Sequence, residues 1–186
     1  MKHLLNSALR CNGKAFAILL STVILFSSCT KNAKPADDMN DQLAPETKIF
    51  KSSPGLSAET TWQLQEAKIA TAKYNNFENA ARDTFIDINV IVPEMGYHYL
   101  KLSRLDNTFN HAEPEILVYN KEENGRMKLV ALEYATPLSA NPPAGYSGDQ
   151  DHWSVYQNQL WTLHAWVWEY NPAGIFNPTN PAVHVH

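Results

Sequence analysis

"PEILVYNKEENGRMKLVALEYA", residues 114–135, decides the fold class. Branched and aromatic residues alternate with others over 114–119 and again over 126–135, the period-two pattern of a strand. Between the two runs lies Asn124-Gly125, a pair suited to the left-handed conformations of a hairpin turn. Glu122 and Glu123 make the loop longer than the tightest type. The two runs therefore pair antiparallel. Outward from them, "IDINVIV" (86–92), "GYHYLKL" (96–102) and "LWTLHAWVWEY" (160–170) show the same period and read as three more strands.

Upstream of residue 86 the period is helical. Ser57 is a good N-cap, Glu59 falls in the first turn, and "AETTWQLQEAKIATAKY" is rich in helix formers. Asn76 caps a second, shorter helix that puts Phe77, Ala80, Ala81 and Phe85 on one side. The expected fold is α+β: two N-terminal helices packed on a curved, mainly antiparallel sheet of about five strands. Residues 136–159, with Pro137, Pro142, Pro143, Gly145 and Gly148, read as a long loop, a length that suits a lid, a binding loop or disorder. Asn171-Pro172, Asn177-Pro178 and Asn180-Pro181 predict turns along the tail.

The first 28 residues describe a signal peptide. Lys2, Arg10 and Lys14 precede an apolar run of twelve residues from Ala15 to Phe26, and Ser27-Ser28-Cys29 follows. As a helix that run rises about 18 Å, too short to span about 30 Å of hydrocarbon. "LFSSC" resembles a bacterial lipobox, which implies acylation of Cys29; Phe26 departs from the small aliphatic residue usual there. Three acyl chains would anchor the protein firmly. The polar, proline-bearing stretch 29–56 then reads as a lipid-anchored flexible tether, or as a segment that docks through Ile49 and Phe50, and 57–186 as a single domain. The expected place is the cell envelope, at the outer membrane of a Gram-negative bacterium. Cys11 leaves with the signal and Cys29 carries lipid, so no thiol remains for a disulfide or a metal. Loss of Lys2, Arg10 and Lys14 takes the formal charge from −4 to −7. An acidic surface repels phosphate backbones, so nucleic acid is not an expected partner.

Side chains alternate across a strand, and each strand can be split by parity. His98, Glu115, Glu133 and His164 are the ionisable groups on sides that also carry Leu100, Leu117, Leu129, Trp166 and Trp168. Such sides are too apolar for bulk water, and a sheet curved around a cavity accommodates both kinds of residue. Two imidazoles with one or two carboxylates form a common ligand set for a divalent metal such as Zn or Fe. Two other roles use the same residues. They could form a buried hydrogen-bonded network, or His164 and Glu133 could act as a general acid and base. A single bulge would move later residues to the opposite face.

Elsewhere, Asp149, Asp151 and His152 in "GDQDHW" read as a solvated turn or a hard-cation site, and His184 and His186 as a terminal H-x-H. Trp153, Trp161, Trp166 and Trp168 serve either as core or as stacking surfaces for ring-shaped ligands. No G-x-S-x-G, Walker A or G-x-G-x-x-G pattern is present, which disfavours the corresponding hydrolases, P-loop enzymes and Rossmann dehydrogenases.

"VPEMGYHYL", "EPEILVYN", "LVALEYATPL" and "LWTLHAWVWEYNPAGIFNPTNP" resemble segments of a family of exported bacterial proteins with MG-x-H-[YF], PE-x-LVY, EY and LH-x-W-x-W-x-x-NP-x-G-x-F motifs. The likeness covers about residues 66–183 and falls on His98, Glu115, Glu133, His164, Trp166, Trp168 and Asn171. Lys101 stands where that pattern has Asn. The resemblance implies export and brings no activity with it. The expected function is a lipid-anchored envelope protein whose pocket binds a small molecule or a metal ion. His98, Glu115, Glu133 and His164 would be metal ligands; Trp166, Trp168, Tyr119 and Asn171 would line the ligand site. A hydrolase or isomerase, or a structural or interaction lipoprotein, are the alternatives.

Overall fold

A computed structural model describes residues 55–185. Cys29, the signal segment, all of the tether before Gly55, and His186 lie outside the described residues. Helix α1 spans Ala58–Thr71, capped by the Ser57 side chain, which accepts from the Thr60 amide at 3.0 Å. A 3-10 turn, Ala72–Asn75, leads to α2, Phe77–Arg82, whose N-cap Asn76 accepts from the Glu78 amide. Strands follow as β1 Ile86–Val92, β2 Gly96–Leu100, β3 Ile116–Lys121, β4 Met127–Pro137, β5 Ser154–Tyr156 and β6 Leu160–Ala165. They form one antiparallel sheet in the order β1-β2-β3-β4-β6-β5. The fold is α+β, as the two periodicities predict.

The expected strand count is one short, because β5 lies inside the stretch read as loop. Gln157 and Asn158 both adopt positive φ, 49° and 56°, and close a tight β5–β6 hairpin. Two consecutive left-handed residues are the mark of a type I′ turn, usually signalled by Asn-Gly rather than Gln-Asn. The last strand also ends earlier than expected. At Ala165 the chain leaves the sheet, and the Trp166 amide donates to the Ile175 carbonyl.

One face of the sheet carries the helices. Phe77 meets Tyr99 and Tyr119 edge-on at 5.1 Å, and the Tyr119 hydroxyl donates to the Tyr74 carbonyl at 2.8 Å. Leu117, Leu132, Tyr134 and Leu163 share this face, fixed by their cross-strand pairing. The other face is concave. Edge strands β1 and β5 stand at opposite ends of the sheet yet line one cavity, so the sheet curls into a half-barrel.

The tail closes one end of this hollow through the three Asn-Pro pairs. Asn171, Asn177 and Asn180 each accept, through the side-chain oxygen, the amide two residues on. The Asn171 amide group also donates to the Thr179 carbonyl and the Asn180 amide group to the Tyr170 carbonyl, stapling the tail to itself. Among the described residues no helix is long and apolar enough to cross a membrane.

Candidate metal centre

Three strands bring His98, Glu133 and His164 together on the concave face. Glu133 of β4 stands directly opposite His164 of β6 and Ile116 of β3. His98 on β2 is opposite Val118 of β3, which is opposite Ala131 of β4, one step along the same face from Glu133. One ligand atom from each of the three residues lies within 4.8 Å of the other two. His98 Nε2 is 3.5 Å from one Glu133 oxygen and His164 Nε2 is 3.7 Å from the other. All three side chains are buried.

These separations test whether the three groups hydrogen-bond one another. Hydrogen bonds of this type span about 2.7–3.2 Å, so both contacts are too long. An ion held at about 2.0–2.2 Å in tetrahedral geometry spaces its ligands about 3.3–3.6 Å apart. His164 Nε2, moreover, is buried with no hydrogen-bond partner, a state that costs about 1–3 kcal/mol unless something uses the lone pair.

The tautomer of His98 is set by a defect in β1. The β1–β2 register shifts between Asp87 and Ile91, where Asn89 sits at φ 54° and its amide donates to the Asp87 carboxylate. The shift frees the Val90 carbonyl, which lies 3.0 Å from His98 Nδ1. A carbonyl only accepts, so Nδ1 carries the proton and Nε2 presents its lone pair toward Glu133. Metal-binding histidines are commonly oriented this way. Left-handed backbone at a branched residue costs about 1–2 kcal/mol. Asn89→Val is accordingly expected to lower stability by about that amount, with Asn89→Gly near wild type, in urea denaturation.

Burial dominates the electrostatics. It pushes the Glu133 carboxyl up to about 8, outweighing a hydrogen bond from Thr162 that opposes the shift. It lowers His164 to about 3, with a smaller contribution from the nearby His98. His98 is also lowered by burial, against its bonds to the backbone. Without an ion the three groups are therefore neutral near pH 7, and their contacts are not ion pairs. A divalent cation would reverse this by favouring the carboxylate and drawing a lone pair from each imidazole.

Above the three groups lies a cavity of about 250 Å³. Ile88, Val90, Val92 and Met95 wall it on one side, Val155, Tyr156 and Leu160 on another, and Phe176 and Pro178 close the end. Thr162, Ser154, His152 and the Tyr156 hydroxyl are the remaining polar groups among the lining residues.

The other expected site residues lie elsewhere. Glu115 precedes β3, and because Ile116 is the residue opposite Glu133, Glu115 is turned to the other face, where its carboxylate accepts the Ala135 amide at 3.0 Å. Tyr119 points to the helices for the same reason. Leu129, expected beside Ala131, also lies on the helix face, since a bulge inserts Val130 between the pairs Val118–Ala131 and Tyr119–Leu129. Trp168 donates to the Thr71 hydroxyl on α1, with Lys68 over its ring. Trp166 is fully buried behind His164, its ring plane 17° from the imidazole, and donates to the Asn177 carbonyl. Asn171 borders a separate surface hollow and serves the tail turns. Parity put Thr162 on the side of His164 but did not reveal Val90, His152 or the β1 wall.

Comparison with protein-family models, curated proteins and solved structures finds no match for this chain.

Proposed function

We propose that the protein binds one divalent cation through His98, Glu133 and His164 and presents it to a small molecule in the apolar cavity. The observation that carries this reading is the convergence of three buried ligand atoms within 4.8 Å, one of them a partnerless imidazole nitrogen. Two imidazoles and one carboxylate suit zinc with an open fourth position, or iron(II) with open sites on one side. The three ligands come from three strands of one sheet, so the site is held by the sheet and needs no loop to assemble.

Elemental analysis tests the reading. Protein purified without a histidine tag is expected to hold close to one equivalent of zinc or iron after exposure to the ion, and the His98→Ala, His164→Ala double variant essentially none. Wild-type protein that takes up neither ion overturns the metal reading and leaves Glu133 and His164 as an acid–base pair.

Lipid anchoring at Cys29 and membership of the exported family belong to the same proposal. Their support is the signal pattern and the motifs alone. Labelled palmitate is expected to enter the wild-type protein in a bacterial host and to be absent from Cys29→Ala.

A further inference from the structure

The cavity above the metal site limits what can approach the cation, first through charge. A divalent ion with one carboxylate and two neutral imidazoles leaves a net charge of +1 in a site whose side chains are buried. An uncompensated charge in apolar surroundings is costly. Among the described residues the wall carries no lysine or arginine and no acid other than Glu133. A ligand that brings one negative charge balances the site. Most of the wall along which a second anionic group would lie is aliphatic, Ile88, Val90, Met95, Val155 and Leu160, and cannot solvate it.

Shape supplies the second limit. The polar floor of His98, Glu133, His164 and Thr162 gives way to a mainly aliphatic wall, with Ser154, His152 and Tyr156 as the other residues that carry polar groups. The volume of about 250 Å³, at about 30 Å³ for each water-sized group, holds about eight heavy atoms.

Resting on the metal reading, we infer that the cavity takes a small monoanionic oxygen donor with an apolar body, the class that includes short unbranched carboxylates. The head group sits on the cation and the chain lies along the β1 and β5–β6 walls. Thr162, on the floor beside the carboxylate ligand, is within the reach of a head-group oxygen not used by the metal.

Cobalt(II) loaded into the full-length protein is the probe, because its visible absorption reports ligands entering its coordination shell. Acetate, butanoate, hexanoate and octanoate are titrated against it, with hexanol and adipate as uncharged and dianionic controls. Affinity is expected to rise about fourfold per added methylene up to hexanoate, which has about eight heavy atoms, and to flatten at octanoate. Hexanol and adipate are expected to bind at least about tenfold more weakly than hexanoate. Ile88→Asp is expected to keep the cobalt bands and lose most of the chain-length dependence. Equal affinity for acetate and hexanoate, or hexanol as tight as hexanoate, overturns this inference while leaving the metal site standing. Failure to develop cobalt bands in the wild-type protein overturns the metal reading itself, and this inference with it.

Discussion

His98→Ala, His164→Ala and Glu133→Gln are each expected to lower affinity for zinc by at least about 100-fold, measured by competition with a chromophoric chelator. The lower bound follows from scale: groups that merely orient a metal ligand typically contribute 10–100-fold, and in the proposed site these three would supply the donor atoms themselves. Glu115→Gln and Tyr119→Phe are expected to leave affinity unchanged within about twofold, because the Glu115 carboxylate accepts the Ala135 amide and the Tyr119 hydroxyl donates to the Tyr74 carbonyl, both away from the three converging groups. This contrast separates the observed site from the four-ligand set that strand parity proposes. A loss at Glu115→Gln equal to that at Glu133→Gln would mean that both carboxylates reach the ion and that β3 is displaced by one residue.

The second large effect is on stability as a function of pH in the metal-free protein. Glu133 has a folded value pushed up to about 8 by burial, so between its ordinary value and pH 8 the folded chain retains a proton that the unfolded chain has released. Stability then falls as pH rises through that window. Glu115, pushed up to about 7 by burial, acts in the same direction. His164, lowered to about 3, acts oppositely: below about pH 6.5 the unfolded chain binds the proton, so stability rises with pH until that value is passed. His98 is lowered too and adds to the rise. The acids and imidazoles offset one another between about pH 4.5 and 6.5, and above that range the acids alone remain, so stability declines toward pH 8. Glu133→Gln removes its share of the decline. Each tenfold change in proton affinity on folding is worth about 1.4 kcal/mol, less whatever the site recovers by relaxing. At pH 8.5 the metal-free variant is therefore expected to exceed metal-free wild type by roughly 2–4 kcal/mol, while at pH 5 the two should nearly coincide. Urea midpoints at the two pH values measure the difference; a Glu133→Gln variant no more stable than wild type at pH 8.5 would show that the carboxyl is solvated.

Much of this site was legible before the fold was known. His98, Glu133 and His164 alternate with residues that face the helices, and strands β2 and β6, with β4 from Ala131 onward, keep the parity that their sequences announce. Strand β3 was not legible, for a physical reason. From Ile116 to Tyr119 it is buried on both faces, so alternation carries no information about which side is which. Glu115 was assigned to the metal face by its charge, and the pairing of Ile116 with Glu133 places it on the other. The bulge at Val130 hid the position of Leu129 in the same way, since an inserted residue leaves no mark on composition.

The chain's own residues determined the class of fold, the two caps that start the helices, the antiparallel hairpin at Asn124-Gly125, the three Asn-Pro turns and the identities of three buried polar groups. All of these are local: they depend on neighbours a few positions apart, where period, capping and turn chemistry act. Only the tertiary structure decided that three strands and not four bring their buried polar groups together, that the Val90 carbonyl orients His98, and that β1 and β5 wall a common cavity. Those features join residues far apart in sequence through register, curl and bulges, and no short-range pattern encodes them.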